Sequence, residues 1–279
     1  MTHQNMTTST SGLRRLIKVS DQTCDKHGSN LIFLSSSPDK LTCYECSKES
    51  VAVETEQMAD EAYETYLKRD TYNWLQNKSI IVEKKILKAT FDNYKVIDAE
   101  TETNKQLALE FAREYYKGAT YNTIFSGKAG TGKSHLAMAM LKAVNENSKP
   151  YRKCLFVSIG EVVSLVQDSF RNKESEFTQQ SMTDLLVEAD LLVLDDIGAE
   201  IGSMDSEKTV SDFVAKIIKK VLDGRDEKAT IITTNLTSDQ LREKYDDRIF
   251  SRMNKGVLGE EKHSIKFKDT TDKRLYSDF

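Results

Sequence analysis

Residues 127–134, with the sequence GKAGTGKS, have the composition and spacing of a phosphate-binding loop. They fit the pattern G-x-x-x-x-G-K-[ST], whose glycines let the backbone curl so that successive N–H groups point at phosphate oxygens. In such a loop Lys133 can reach the β/γ-phosphates of a nucleotide, and Ser134 can hold Mg²⁺. The residues predicted to contact ATP are Gly127, Lys128, Ala129, Gly130, Thr131, Gly132, Lys133, Ser134 and His135.

The segments on either side of this loop support the prediction. Residues 121–126 (YNTIFS) indicate a short buried strand, and residues 135–144 (HLAMAMLKAV) indicate a helix. Strand, loop and helix N-terminus follow in the order that such a site needs, and the helix dipole adds attraction for phosphate. A chance glycine-rich turn is the alternative, and this context argues against it.

Two carboxylates follow a second apolar segment. Residues 191–194 form an apolar run typical of a strand buried on both faces, and Asp195 and Asp196 come directly after it. Ligands of open α/β sheets lie at that edge. Asp195 would orient Mg²⁺ or its water, and Asp196 would polarise the attacking water. An ordinary acidic turn is the alternative, and pairing with the phosphate loop disfavours it.

Three cysteines and one histidine near the N-terminus have the spacing of a metal site. Cys24 and His27 form one pair, Cys43 and Cys46 another, and fifteen residues separate the pairs. Three thiolates and an imidazole make a closed tetrahedral site, for which zinc is the natural metal. Ordinary thiols with a chance histidine remain the alternative, and a disulfide framework suits a cytoplasmic chain poorly.

Composition narrows the compartment and the partners. The chain has 279 residues, of which 38% are hydrophobic and 30% charged, with a net charge of −4. No apolar stretch approaches the roughly 20 residues that span a bilayer, and the start lacks the build of a signal peptide. We expect a cytoplasmic protein without a membrane partner. Contact with DNA would have to be local or assembled by oligomerisation, because no global basic surface is present.

The chain divides into four predicted parts. Residues 1–12 form a disordered tail, residues 13–50 the metal module, residues 51–88 a helical linker, and residues 89–279 the nucleotide-binding domain. Within the linker, one amphipathic helix is predicted over residues 54–78. Its apolar stripe is expected to be a packing face, either internal or toward a partner. The stripe consists of Ala59, Ala62, Tyr63, Tyr66, Leu67 and Trp74.

Strands and helices alternate beyond the phosphate loop. Strands are predicted at 154–159, 191–194 and 230–234, and helices at 160–170 and 209–222. Such alternation predicts an α/β fold with a mainly parallel sheet flanked by helices.

Polar residues after the last predicted strand complete the candidate site. Asn235 could touch the attacking water or the γ-phosphate. Arg248 and Arg252 lie four residues apart, on one face of a predicted helix. By spacing alone they are solvated or paired with nearby carboxylates. The sharper interpretation is a guanidinium offered to the γ-phosphate of a neighbouring subunit.

Together these segments resemble the AAA+ ATPases, and specifically the DnaC/DnaI-type replicative helicase loaders, over residues 89–279. ATFDNYK resembles the family's entry segment, GKAGTGKSHLA its Walker A motif and LLVLDDIGAE its Walker B motif. DGR followed by TIITTN resembles the segment leading to sensor 1, and SRM the box VII ending. The resemblance implies an AAA+ P-loop fold, preceded by a zinc module like the helicase-binding domain of the DnaI branch and a linker helix.

The resemblance also implies roles for individual residues. Lys133, Asp195 and Asp196 would serve catalysis, Asn235 would be sensor 1, Arg252 the arginine finger and Arg248 its companion. The tail lacks the glycine expected before sensor 2, for which Arg274 is the first candidate and Lys273 the second. Many family members have glutamate where Asp196 stands. Slow hydrolysis, stimulated by DNA or a partner, is therefore expected.

The implied partners are a hexameric DnaB-type replicative helicase, single-stranded DNA and further copies of this chain. Residues 162–173 resemble a helical insertion of initiator-type relatives, so Phe170 and Arg171 could contact DNA, or the helix could simply end in solvent. An IstB-like transposition helper and a non-catalytic inhibitor or scaffold remain alternatives, and a small-molecule kinase ranks last. The cell is expected to be bacterial, and a phage or prophage gene is left open.

Overall fold

The computed structural model describes residues 16–172, 174–199, 210–257 and 262–273. The predicted tail, residues 1–12, lies outside them. Residues up to Tyr66 and residues from Leu67 onward form two compact units. Within the described residues, no helix combines the length and the apolar character that crossing a membrane requires.

The first unit is a small antiparallel sheet followed by a long helix. Its strands are β1 (Ile17–Thr23), β2 (Asn30–Leu34) and β3 (Ser37–Thr42), in the order β1-β2-β3, and helix α1 spans Tyr44–Leu67. Among the described residues up to Tyr66, Cys43 is the one hydrophobic side chain that is buried. A unit with so little apolar core needs another source of stability, such as a bound metal.

Helix α1 differs from the helix predicted over residues 54–78. It starts ten residues earlier, because no glycine or proline interrupts 44–67, and it ends at Leu67. A π-helical turn, Lys68–Tyr72, and the short helix α2 (Trp74–Asn77) follow. No side chain of α1 is buried, whereas Trp74 is. The prediction of one continuous helix was wrong, and its stripe up to Leu67 is no internal packing face.

The second unit is built on a five-stranded sheet in the order β5-β6-β7-β4-β8, with every pairing parallel. The strands are β4 (Thr123–Gly127), β5 (Cys154–Ser158), β6 (Leu191–Ile197), β7 (Ala229–Thr234) and β8 (Ser264–Phe267). The helices are α3 (Ala99–Tyr116), α4 (Lys133–Asn147), α5 (Ile159–Ser169), α6 (Gln179–Glu188), α7 (Asp212–Asp223), α8 (Ser238–Lys244) and α9 (Asp247–Met253). The predicted α/β fold with a parallel sheet is confirmed.

Hydrophobic clusters cover both faces of this sheet. Leu192 and Leu194 of β6 belong to one cluster, whereas Leu191 and Val193 belong to the other. Successive side chains of a strand point to opposite faces, so a strand buried on both faces needs an unbroken apolar run. This explains why β6 could be predicted from four consecutive apolar residues. The carboxyl ends of β4, β6 and β7 meet at one edge of the sheet.

Candidate functional site

Three glycines shape the loop between β4 and α4. Gly127, Gly130 and Gly132 have φ angles of 146°, 77° and 103°, which favour glycine. At Gly127 a Cβ atom would lie 2.6 Å from the backbone oxygen of Phe267. Because α4 begins at Lys133, its unpaired N–H groups lie at the end of this loop. The backbone therefore fits an anion such as a nucleotide phosphate.

Lys133 is held inside the loop by three hydrogen bonds. Its Nζ donates to the backbone oxygens of Gly127 and Lys128 and to Oδ1 of Asn235, each over 2.7 Å. The side chain is buried, with 6% exposure. Because an ammonium has three donors, Lys133 must exchange at least one of these partners to bind a phosphate.

A register shift delivers Asp195 and Asp196 at the end of β6. Leu194 pairs with Ile232 and Ile197 with Thr234, so β6 carries one extra residue between these positions. Asp196 has a φ of 62°, a conformation uncommon for residues other than glycine. Bulges re-aim side chains in this way next to active sites.

Asp195 lies beside the last residue of the phosphate loop. Its Oδ1 accepts a hydrogen bond of 2.7 Å from the hydroxyl of Thr233, and Ser134 also donates to its carboxylate. Burial raises the pKa of Asp195, and these two hydrogen bonds oppose that effect. A hydroxyl and a carboxylate are oxygen ligands of the kind that Mg²⁺ takes. The two residues predicted to hold magnesium are thus brought together and fit the ion.

Asn235 connects the lysine of the loop to the second carboxylate. Its Oδ1 accepts from Lys133, and its Nδ2 donates over 3.0 Å to Oδ1 of Asp196. Thr233, two residues earlier, accepts a hydrogen bond of 2.9 Å from the backbone N–H of Asp196. Thr233 was not predicted, although its place in the TIITT strand before Asn235 was a usable signal.

His135, the residue after the phosphate loop, contacts Thr90 and Tyr94. Its Nε2 bonds with the backbone oxygen of Thr90 over 2.9 Å, and its ring meets the Tyr94 ring edge-on at 5.4 Å. Burial lowers its pKa, which favours a neutral imidazole. The side chain therefore ties α4 to the segment before α3.

Lys273 lies against the loop from the C-terminal side. Its backbone N–H donates over 2.9 Å to the oxygen of Gly130, and its Nζ donates over 2.6 Å to the oxygen of Lys95. The ammonium also lies 3.7 Å from the ring centroid of Tyr94. Burial lowers the pKa of Lys273 to about 8. The first candidate for sensor 2, Arg274, lies outside the described residues.

Arg248 and Arg252 both lie on α9 and line a surface cleft of about 800 Å³. No described residue of the phosphate loop lines this cleft. Nε of Arg252 forms an ion pair with Asp223, and Nη1 lies 3.5 Å from Oδ1 of Asp226. The carboxylates that pair with Arg252 are therefore distant in sequence. Arg248 is exposed.

Phe170 is an exposed aromatic residue directly after α5. Its side chain is 64% exposed, and its ring meets that of Phe213 edge-on at 5.6 Å. Arg171, the next residue, is exposed as well.

The four predicted zinc ligands form one cluster in the first unit. Their ligand atoms all lie within 4.8 Å of one another. His27 Nδ1 lies 3.8 Å, 3.6 Å and 3.3 Å from the sulfur atoms of Cys24, Cys43 and Cys46. A tetrahedron with a Zn–N bond of about 2.0 Å and Zn–S bonds of about 2.3 Å separates nitrogen from sulfur by about 3.5 Å, so the set fits zinc.

Glu49 supports this cluster and was not predicted. Its Oε1 lies 3.1 Å from His27 Nε2, the nitrogen that does not face the thiols. A carboxylate on the second ring nitrogen fixes the tautomer and orientation of a metal-binding histidine. The four ligands could be predicted because their spacing is typical of zinc sites. No spacing rule connects Glu49 to them, so its role could not be predicted from the sequence.

The parallel sheet and the phosphate loop at its carboxyl edge define an ATP-binding protein of the P-loop type. The model of the family described as IstB-like ATP binding protein matches residues 55–266, which is more than half of the chain. The chain therefore belongs to this family.

Similar proteins include the replicative helicase loader DnaC of Escherichia coli strain K12. It is 32% identical over 172 residues, covering 60% of this chain and 63% of DnaC, which is less than two thirds of that relative. The crystal structure of the DnaC helicase loader matches with a TM-score of 0.53 at 22% identity, over 67% of this chain and 100% of that one. The crystal structure of DnaI matches with a TM-score of 0.52 at 22% identity, over 68% of this chain and 96% of DnaI. These structures show the fold.

Proposed function

We propose that this chain is an ATP-dependent loader that binds a hexameric DnaB-type replicative helicase and places it on single-stranded DNA. The observation that carries the proposal is the link made by Asn235 between Lys133 and Asp196. Such a link connects the residues expected to bind and to hydrolyse ATP. The 32% identity to the DnaC loader of Escherichia coli supports the biological role, which would lie in the bacterial cytoplasm.

The residues of the site have distinct roles in this proposal. The N–H groups of the loop and Lys133 would hold the phosphates, and Ser134 and Asp195 would hold Mg²⁺. Asp196 would accept the proton of the attacking water, with Asn235 keeping its carboxylate in place. Magnesium, when bound, supplies charge stabilisation for the departing phosphate. Asp196 reaches less far than glutamate would, so slow hydrolysis is expected.

The N-terminal cluster would hold a structural zinc ion in this proposal. Cys24, His27, Cys43 and Cys46 form a closed set without an open position, as in sites that stabilise folding. The exposed apolar side chains of the same unit, such as Val19 and Leu34, would then be available to the helicase.

Single-stranded DNA would be bound locally, by a stacking ring and a neighbouring cation. Phe170 and Arg171 are both exposed and adjacent, which is the combination such binding uses. Replacing both by alanine should weaken binding of a single-stranded oligonucleotide at least tenfold without changing the thermal unfolding temperature. Unchanged binding would remove this part of the proposal.

Light scattering on a sizing column tests the loader role directly. The full chain is mixed with a hexameric DnaB-type helicase, with and without a non-hydrolysable ATP analogue. A co-eluting complex is expected, and it should be lost when Cys43 is replaced by serine, whereas Cys154→Ala, outside the cluster, should retain it. An unwinding assay on the complex then separates loading from inhibition.

A transposition helper is the second candidate, because the chain belongs to the family described as IstB-like ATP binding protein. Failure to bind any DnaB-type helicase, with ATP binding intact, would favour this candidate. The partner to seek would then be a transposase. A complex with helicase that binds ATP but never hydrolyses it would instead favour a scaffold or an inhibitor.

A further inference from the structure

We propose that Asp223 and Asp226 are positioning residues that hold the guanidinium of Arg252 for the active site of a neighbouring copy of this chain. The inference rests on the proposed function and on the role between subunits that the family resemblance implies for Arg252. It assigns a role to two carboxylates on the segment before β7, outside the phosphate loop and the carboxyl end of β6.

The two carboxylates pair with two different nitrogens of the guanidinium. Asp223 pairs with Nε of Arg252, and Asp226 pairs with Nη1 at 3.5 Å. The Arg252 side chain is 41% exposed, so part of the guanidinium can be offered to an outside acceptor. A guanidinium that is already held through two of its nitrogens loses less freedom when it binds a phosphate.

A buried cation fixes the turn that carries these carboxylates. Arg225 lies between them in sequence and is 2% exposed. Its guanidinium donates to the backbone oxygens of Leu186 and Ala189 at the end of α6. It also donates to the oxygen of Ala229 and to the hydroxyl of Thr230 on β7. The turn is thereby tied to the sheet that carries the nucleotide site.

A second cation fixes the backbone of the same turn. Nζ of Lys255 donates to the backbone oxygens of Arg225, Asp226 and Lys228 over 3.1 Å, 2.7 Å and 2.8 Å. Lys255 follows α9 closely in sequence, so it also joins the turn to the helix that carries Arg252. Both partners of the ion pair are therefore held by rigid elements.

Asp223 occupies a position that helix stability disfavours. It is the last residue of α7, where the helix dipole repels a carboxylate. The compensating cations are Arg252 and Lys219, whose Nζ lies 3.4 Å from the Asp223 carboxylate. Stability alone would favour a neutral residue here, whereas holding Arg252 requires the charge.

The cleft beside Arg252 suits an anionic occupant. Five basic side chains and three carboxylates line it, so the net charge of the lining is positive. The γ-phosphate of a nucleotide bound to a neighbouring copy has the matching charge. The described part of the subunit's own phosphate loop does not reach this cleft.

The test mixes two full-length variants with single-stranded DNA and helicase. Lys133→Ala cannot use its own site but supplies Arg252, and Arg252→Ala keeps its site but needs a neighbour's guanidinium. The mixture should hydrolyse ATP faster than either variant alone. Adding Asp223→Asn to the Lys133→Ala copy should reduce this gain roughly 10- to 100-fold, the effect of misplacing a catalytic group by about 1 Å.

The location of the substitution separates positioning from folding. Asp223→Asn in the Arg252→Ala copy should leave the gain unchanged, and so should Asp247→Asn, in the same cleft, in either copy. An unchanged gain with Asp223→Asn in the Lys133→Ala copy would overturn the inference. An equal loss in both copies would do so too, because it would indicate a structural role. No gain from the parent mixture would overturn the role of Arg252 between copies, and the inference with it.

Discussion

Nζ of Lys133 donates a hydrogen bond of 2.7 Å to Oδ1 of Asn235, which lies 102 residues away in sequence. The other half of the same amide donates to Asp196. The lysine of the phosphate loop, the polar residue after β7 and the second carboxylate of β6 thus form one connected group. An incoming phosphate that draws Lys133 away would release the amide oxygen of Asn235, so nucleotide binding would change the surroundings of Asp196.

Replacing Asn235 by alanine should separate nucleotide binding from hydrolysis. We expect kcat to fall about 100-fold, the scale of losing one preorganised polar group. The Kd for ATP should change by only a few-fold, because the loop backbone is untouched. Steady-state ATPase assays and titration with a fluorescent nucleotide measure the two quantities. Asn147→Ala is the matched control, because its side chain contacts its own helix and is exposed. An unaltered kcat for Asn235→Ala would contradict the prediction.

Asp195→Asn should make the nucleotide-free protein more stable. Burial raises the pKa of Asp195, so the folded state holds a proton more strongly than the unfolded state does. The free energy of unfolding therefore falls as the pH rises from the ordinary aspartate range through the raised pKa of Asp195. Above that pKa the loss of stability is complete. Asparagine removes this loss and can still accept from Thr233.

The measurement is thermal unfolding at several pH values without nucleotide. The melting temperature of Asp195→Asn should exceed that of the natural chain at neutral pH, and the difference should shrink as the pH falls toward 3.8, the unperturbed value. The same variant should lose Mg²⁺-dependent ATP hydrolysis. Exposed Asp184→Asn is the control and should show neither effect. A lower melting temperature for Asp195→Asn at neutral pH would count against the argument.

The parts of this site that could be predicted from sequence obey local rules. The phosphate loop depends on glycines at fixed spacing, and β6 on four consecutive apolar residues, so both were found. Arg248 and Arg252 were placed on one helix by their spacing. Each of these features is encoded within a few adjacent residues.

The parts that could not be predicted depend on contacts between distant segments. Pairing of Arg252 with Asp223, and of His27 with Glu49, joins side chains that no spacing rule connects. The π-helical turn after Leu67 has no local breaker either, because neither glycine nor proline is present there. Trp74, a few residues beyond this turn, is buried in a hydrophobic cluster of the second unit, and no local pattern encodes such packing.

Zinc should be present at one ion per chain and should be lost on replacing Cys43. Purified protein measured by atomic emission should give a ratio near one, and Cys43→Ser a ratio near zero, because three ligands hold zinc much more weakly than four. Cys154→Ala should keep the metal, since Cys154 is buried in the second unit and is not one of the four clustered residues. A ratio near zero in the natural chain would eliminate the site.

Loss of the zinc should unfold the first unit alone. Its described residues bury hardly any apolar surface, whereas the second unit has clusters on both sheet faces. For Cys43→Ser we expect rapid amide exchange in β1 to β3 and unchanged protection in β4 to β7, measured by hydrogen exchange. Loss of protection in the five-stranded sheet would show that the two units unfold together.

Glu100→Gln should destabilise the second unit and weaken nucleotide binding. The Glu100 carboxylate accepts hydrogen bonds from the backbone N–H groups of Lys268, Asp269 and Thr270, and also from the Thr270 hydroxyl. This clamp fixes the segment that ends in Lys273, whose N–H bonds to Gly130. An amide accepts through one oxygen only, so we expect a loss of about 1 to 3 kcal/mol in the free energy of unfolding.

The pH dependence of this loss identifies the clamp as its cause. Burial of Glu100 acts to raise its pKa, but the hydrogen bonds from Thr270 and the backbone outweigh it, so the pKa is lowered. The ionised clamp therefore stabilises the fold above the ordinary pKa of 4.5, and this contribution is lost as the pH falls through the lowered value.

Denaturant titrations should give the natural chain a higher free energy of unfolding than Glu100→Gln at pH 7, and this difference should disappear in acid. Glu102→Gln, whose exposed carboxylate accepts a hydrogen bond from Gln106 on the same helix, should stay within about 0.5 kcal/mol at every pH. A gap for Glu100→Gln that persists at low pH would mean that packing, and not the ionised carboxylate, holds the segment against the loop.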